Sequence, residues 1–316
     1  MDHNPVLVDR VVELLLPALS DGGVVVDATL GRGGHAKALL EAAPAIELVG
    51  IDWDDEALAQ GGANLRAHTQ RVRTARADFA SLSSVLERFG IASVRGVLFD
   101  FGVSSPQLDR PERGFSFRHE GPLDMRMDLS KPLTAAEIVN EYPEPDLARV
   151  IRRFGEERFA NRIARAIVQS RPLQTTTELA EVIKTAIPAA TRRTGGHPAR
   201  RSFQALRIEV NDELIQIDRA LEQAMDVLEA GGRIATLTYH SLEDRIVKRA
   251  FAAESRGCTC PPDFPVCVCG AEARLRLVTK RPVRPETNEI ELNPRASAAK
   301  LRVGERLATA VNGGTE

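Results

Sequence analysis

Three aspartates stand at or near the ends of short apolar runs. Asp27 follows Val24-Val25-Val26, Asp52 closes the run from Ile46 to Ile51, and Asp100 closes Val94 to Phe99. After the first run comes Thr29-Leu30-Gly31-Arg32-Gly33-Gly34-His35. Glycine tolerates turns that other residues resist, and it lets a backbone approach a ligand closely. In open α/β sheets, ligands lie at the carboxyl ends of the strands. A carboxylate at Asp52, ending the second run, can accept both hydroxyls of a ribose. The competing interpretation of the loop is a glycine-rich connection that holds nothing.

These acids need a sheet to hold them. Residues 36–43 and 54–67 read as helices, the second with Asp54 as N-cap, and Val72 to Ala77 reads as a third strand ending at Asp78. Apolar strands alternating with helices indicate a parallel sheet covered on both faces. Residues 103–135, with Pro106, Pro111, Gly114, Gly121, Pro122 and Pro132, read as a long ordered loop. Residues 134–187 read as helical, and Phe159, Ile163 and Ile167 recur at four-residue spacing as an apolar stripe. A helix over 203–229, closed by Gly231-Gly232, precedes a strand at 234–239 and a helix at 242–253. Last strands are expected at 275–279 and 300–303. The fold class is α/β: a Rossmann-like sheet from residues 1–110 and 212–316, interrupted by a mainly helical insertion over 111–211.

A chain of 316 residues is enough for about two domains. Its composition, 43% hydrophobic and 27% charged, excludes a disordered or collagen-like chain. The net charge of −2 excludes a uniformly basic nucleic-acid coat. The charge is uneven, however. From Arg149 to Asn211 there are 13 Lys and Arg against 5 Asp and Glu, a net of +8 that predicts an anionic partner for this segment. No apolar run approaches the ~18–20 residues of a membrane span. No signal sequence is visible at the amino end, so the expected compartment is the cytoplasm. The sequence leaves oligomeric assembly open.

The glycine loop narrows the choice of nucleotide. The dinucleotide fingerprint G-x-G-x-x-G fails because position 36 is alanine, which argues against an NAD-dependent dehydrogenase. S-adenosylmethionine carries no phosphate. It asks for a ribose-binding acid, room for its methionine part and a contact to adenine, and Asp78-Phe79 offers an edge contact and an apolar wall.

After the fourth strand run Asp100-Phe101-Gly102-Val103-Ser104-Ser105-Pro106-Gln107-Leu108-Asp109 and, further on, Arg113-Gly114-Phe115-Ser116-Phe117 and Gly121-Pro122-Leu123-Asp124-Met125-Arg126-Met127-Asp128. Gly155-Glu156-Glu157-Arg158-Phe159-Ala160, Ser202 to Ile208, His240 to Lys248 and Asn293-Pro294-Arg295-Ala296 follow in order. Together these segments resemble the bacterial small-subunit ribosomal RNA cytosine-N4 methyltransferases, the RsmH/MraW family, over nearly the whole chain. Tyr239 is a departure, standing where phenylalanine is common. The resemblance implies a class I methyltransferase fold with a helical insertion. It implies methylation by S-adenosylmethionine of a cytidine in the decoding region, with ribosomal RNA of the small subunit as partner. Cofactor contacts carry over to Gly33, Gly34, His35, Asp52, Phe79, Asp100 and Gln107, and Gly31 of the same loop joins them.

Methyl transfer to an exocyclic amine needs the nitrogen held ~3–3.5 Å from the methyl and in line with the leaving sulfur. It also needs an acceptor for the amino hydrogen. Asp100 suits that role by its place; the other interpretation confines it to cofactor binding. Methylation at ring carbon 5 would need a nearby cysteine, but every cysteine lies after position 257. His240 either faces the cleft as a catalytic group or is structural, with Ser241 capping the following helix. A non-catalytic assembly factor and a DNA amino-methyltransferase are the alternatives to the RNA enzyme.

Arg158, Arg162 and Arg165 share one helical face, and Arg200 and Arg201 follow the Gly195-Gly196 loop; with Arg113 they are the candidate phosphate contacts. Phe115, Phe117 and Phe203 are candidate stacking partners for an unpaired base. Asp124, Arg126 and Asp128 either touch substrate or brace their loop. Cys258, Cys260, Cys267 and Cys269 suggest either a four-thiolate zinc site or a surface hairpin. Because C-x-C is a strained spacing for zinc, no metal is assigned.

Overall fold

The computed structural model describes residues 5–191, 196–257, 260, 269 and 271–308. Two compact units emerge, Met1–Gly102 with Leu214–Glu316, and Val103–Glu213. The division falls at 102/103 and 213/214, whereas the sequence pattern places it at 110/111 and 211/212.

The first unit is built on seven strands: β1 (Gly23–Asp27), β2 (Ile46–Asp52), β3 (Val72–Arg76), β4 (Val94–Asp100), β5 (Leu228–Thr238), β6 (Leu275–Leu277) and β7 (Lys300–Arg306). Their order is β3-β2-β1-β4-β5-β7-β6. The first five are parallel, and β7 runs antiparallel to both β5 and β6. Valine- and isoleucine-rich strands such as Val24-Val25-Val26 suit a sheet buried on both faces. One apolar layer joins Val25, Leu48, Leu98 and Leu237 to α1 (Val8–Leu15) and α2 (Gly34–Ala42). The opposite layer joins Val26, Val49, Val97 and Phe99 to α4 (Leu82–Arg88) and the later part of α11 (Glu213–Val227). α3 (Asp55–Asn64) starts at Asp54, whose side chain accepts from the N–H groups of Glu56 and Ala57. That is the expected N-cap.

The second unit contains a short α5 (Ser105–Asp109) and then α6 (Ala135–Glu141), α7 (Glu144–Gly155), α8 (Ala160–Gln169), α9 (Thr176–Ala186) and α10 (Arg200–Asn211). α12 (Ser241–Arg256) and α13 (Thr287–Leu292) belong to the first unit. Thr134 and Thr175 begin α6 and α9 with reciprocal capping boxes to Glu137 and Glu178. The stripe on α8 is real: Ile163 and Ile167 are buried, and Phe159 stands at the N-cap. α7 and α10 pack so closely that a Cβ on Gly155 would lie 2.6 Å from the Arg201 carbonyl oxygen. Only glycine fits that crossing.

Several expectations about the elements need correction. The loop expected over 103–135 contains the short α5, and the strand expected at 234–239 is Leu228–Thr238. The helix over 203–229 is two helices, because Asp212 turns into the left-handed region at φ 54°. Gly231-Gly232 does not end a helix either. It lies inside β5, where the pairing with β4 shifts between Val94 and Gly96. Glycine served an irregular strand here rather than a helix C-terminus.

Candidate active site

The ends of β1, β2 and β4 carry Asp27, Asp52 and Asp100, the acids that the sequence points to. The turn after β1 is tied down from both neighbouring strands. Ala28 N–H donates to the Leu98 carbonyl on the β4 side, and Leu30 N–H donates to the Ile51 carbonyl on the β2 side. Gly33 then takes φ 73° as the N-cap of α2, a conformation that costs other residues free energy.

Asp52 holds this turn in place. One of its carboxylate oxygens accepts from Gly31 N–H at 2.8 Å and the other from Asp54 N–H at 3.0 Å. Each oxygen can accept more than one hydrogen bond, so both retain capacity for hydroxyl donors. Burial pushes the Asp52 carboxyl above the usual aspartate value, while the N–H groups of Asp54 and Gly31 pull it back.

Asp27 is 1% exposed and accepts from Thr29 N–H at 3.2 Å. Burial raises its carboxyl to about 6; His35 and the Thr29 N–H oppose the rise, and Asp100 and Asp52 add to it. Asp100 receives the Tyr239 hydroxyl on Oδ1 at 2.7 Å, and its own N–H faces Thr29 Oγ1 at 2.7 Å. Its Oδ2 lies 3.9 Å from His35 Nδ1, while His35 Nε2 lies 2.9 Å from the Val6 carbonyl. His35 is thus a buried spacer between the N-terminal segment and Asp100.

Asp27 thus feels the charges of both Asp100 and Asp52 at these strand ends. Beside them stands an aromatic wall: Phe79 lies 5.5 Å from Phe101 and 6.1 Å from Trp53, and Phe99 stacks on Phe101 at 5.1 Å. Asp78 caps the turn at Phe79, its Oδ1 accepting from Ala80 N–H at 2.8 Å.

The sequence pattern did not single out Trp53 or the role of Tyr239. The signal for Tyr239 was present, since a parallel neighbour of β4 must end beside Asp100, and Asp100 aligns with Leu237. His240 is the N-cap of α12, in place of Ser241. Its Nδ1 accepts from Glu243 N–H at 3.4 Å, Glu243 Oε2 accepts from His240 N–H at 3.1 Å, and Nε2 lies 3.0 Å from Glu243 Oε1. Both nitrogens face Glu243, and Nε2 makes no hydrogen bond there.

The remaining candidates belong to the helical unit. Gln107 Oε1 accepts from Ser104 N–H at 3.0 Å. Arg113 Nη2 donates to the carbonyls of Arg126 and Met127, both at 3.0 Å, and its guanidinium lies over the buried Phe115 ring. Arg126 grips Asp124 through Nε and Nη2, so these residues brace their loop. Phe203 is in the core, whereas Phe117 is half-buried and stacks on His197 at 4.3 Å. Arg158 lies over the Phe159 ring at 4.6 Å, Arg165 pairs with Glu144 at 3.4 Å, and Arg201 donates to the Glu156 carbonyl at 3.3 Å. Arg162 and Arg200 stand on exposed helix surface. Cys258 and Cys267 lie outside the described residues.

Comparison with known proteins shows the family. The model of the MraW methylase family matches residues 1–307. The ribosomal RNA small subunit methyltransferase H of Symbiobacterium thermophilum is 51% identical over 309 residues, 96% of each chain. The protein of the same name from Carboxydothermus hydrogenoformans is 50% identical over 311 residues, 98% of this chain and 99% of that one. Among solved structures, an rRNA methylase from Streptococcus thermophilus aligns over 98% of this chain and 99% of its own, at 13% identity and a TM-score of 0.43. With a family match that runs from the glycine turn through the strand-end acids to the last strand, this chain belongs to the MraW methylase family.

Proposed function

We propose that the protein transfers a methyl group from S-adenosylmethionine to the exocyclic N4 of a cytidine in the decoding region of small-subunit ribosomal RNA, acting in the cytoplasm on the ribosomal subunit. The observation that carries this reading is the cluster of Asp27, Asp52 and Asp100 around the Gly31–Gly34 turn. It suits a cationic nucleoside cofactor.

S-adenosylmethionine supplies a methyl group bonded to a cationic sulfur. The chain's residues do the rest. Asp52 accepts the ribose hydroxyls, and Phe79 with Trp53 walls the adenine. Gly33 and Gly34 keep the turn low, and His35 fixes its approach to Asp100. The family resemblance adds Gln107 to this set.

Asp100 accepts a hydrogen bond from the cytosine amino group. That draws the nitrogen lone pair out of the ring and gives the departing proton an acceptor. The helical unit supplies the phosphate contacts through Arg158, Arg162, Arg165, Arg200 and Arg201. Arg113, held on two carbonyls, supports that surface instead of reaching out from it.

The test mixes labelled S-adenosylmethionine with small subunits that lack the modification, followed by digestion and nucleoside separation. Label in N4-methylcytidine, lost in Asp100→Ala, supports the assignment. Label in another nucleoside overturns the acceptor atom, and label only in DNA overturns the RNA substrate.

A further inference from the structure

The helical unit contains a cavity of about 520 Å³ that the transfer reaction does not use. Phe117, Thr177, Glu181, Lys184 and His197 line it. Its volume lies within the ~300–1,000 Å³ typical of small-ligand sites. Its main feature is an aromatic ladder. The exposed His197 ring lies nearly flat on Phe117, at 4.3 Å and 16°, and Phe117 meets the buried Phe203 edge-on at 5.3 Å and 81°.

The ladder is anchored at its inner end and open at its outer end. His197 Nδ1 accepts from Ala199 N–H at 3.2 Å, which fixes the ring plane and leaves the proton of the neutral ring on Nε2. Burial and the neighbouring Lys184 charge hold this imidazole below its ordinary pKa, with Glu181 opposing. A neutral ring therefore presents its face to solvent. The polar groups beside it include both signs, since Lys184 Nζ sits 2.8 Å from Glu181 Oε2. The segment around the cavity is the one with a net charge of +8.

We infer that this cavity binds one unpaired base of the substrate RNA, a nucleotide other than the methylated cytidine, stacked on His197 and read at its edge by Thr177 and Glu181. Aromatic rings with adjacent cations are how proteins hold single-stranded RNA. An RNA partner is favoured over a peptide because the segment is basic and its exposed aromatic surface is flat. The inference rests on the RNA-methylating reading. It adds a second, separate grip that acts on affinity and not on the transfer step.

The experiment compares the full-length wild type with His197→Ala and His197→Tyr. Each is titrated against a fluorescein-labelled, mixed-sequence single-stranded RNA dodecamer at fixed salt. The same preparations are assayed for KM and kcat on small subunits. His197→Ala should weaken dodecamer binding about tenfold, the usual worth of one stacked base, and raise KM for subunits similarly, with kcat within twofold. His197→Tyr, which keeps a stackable ring, should bind within about threefold of wild type. Equal binding by all three proteins overturns the inference. So does equal loss in Ala and Tyr variants, or a wild type that does not bind the dodecamer. Normal dodecamer behaviour with no methylation of subunits would instead sink the catalytic reading alone.

Discussion

The Tyr239 hydroxyl donates a hydrogen bond to Asp100 Oδ1 at 2.7 Å, across the ends of two neighbouring parallel strands. Burial and the charges of Asp100 and Glu243 push the phenol well above its ordinary pKa, so it remains a donor throughout the useful pH range. A fixed donor on one oxygen orients the carboxylate. Phenylalanine is common at this place in the family the sequence resembles, so the hydroxyl refines the site. Tyr239→Phe should lower kcat about fivefold, the value of one hydrogen bond of ~1 kcal/mol. Cofactor affinity should stay within twofold. An unchanged kcat in steady-state assays would show that Asp100 needs no such anchor.

Asp52 should matter in the opposite way. Its two oxygens already hold Gly31 and Asp54, and they are the proposed ribose acceptors. Asp52→Ala should weaken S-adenosylmethionine binding by at least about thirtyfold, since hydrogen bonds to a charged group are worth ~1.5–3 kcal/mol each. Calorimetric titration measures it directly. Circular dichroism of the variant separates this loss from a collapse of the turn.

Asp27 makes stability depend on pH. Its folded-state value of about 6 lies above the ordinary 3.8. The neutral buried acid therefore favours the fold fully below pH 3.8, and that contribution disappears as pH rises through about 6. A shift of this size corresponds to about 3 kcal/mol, at ~1.4 kcal/mol per pKa unit. Asp27→Asn should flatten the Tm profile between pH 4 and 6 and raise Tm at pH 8 relative to wild type. Cofactor affinity should strengthen over the same interval, because the ionised acid attracts a cation. A Tm profile identical in the two proteins would refute the assignment.

In the helical unit, Asn211 is fully buried. Its Nδ2 donates to the carbonyls of Met125 and Arg207, each at 2.8 Å, and its Oδ1 accepts from Met127 N–H at 2.8 Å. Asn211→Ala leaves buried backbone groups without these partners, and should cost about 2–3 kcal/mol. Urea denaturation should show a lower midpoint, with cofactor affinity little changed.

Much of the sheet unit was legible because strand periodicity and strand-end acids are local signals. Asp27, Asp52 and Asp100 were found by position alone. Trp53 and Tyr239 were not, because their significance depends on which strands are neighbours. Arg113 and Phe115 read as substrate contacts by type; the fold sets Arg113 Nη2 on two backbone carbonyls and buries Phe115. His197 carried no pattern in the sequence; only the fold brings it onto Phe117. Gly231-Gly232 misled because glycine marks both helix ends and strand irregularities, and only the pairing with β4 distinguishes them.

The insertion between β4 and β5 also sets the order of assembly. Val97 and Ile234 are neighbours in the sheet but 137 positions apart along the chain. Closing so long a loop carries an entropic cost before any strand contact repays it. Helices α7 and α8 need only nearby residues, and α10 joins α7 across about fifty. Pulse-labelled hydrogen exchange during refolding should protect amides of α7, α8 and α10 first and those of β4 and β5 last. The pair of strand ends that holds Asp100 beside Tyr239 is then among the final parts of the molecule to form.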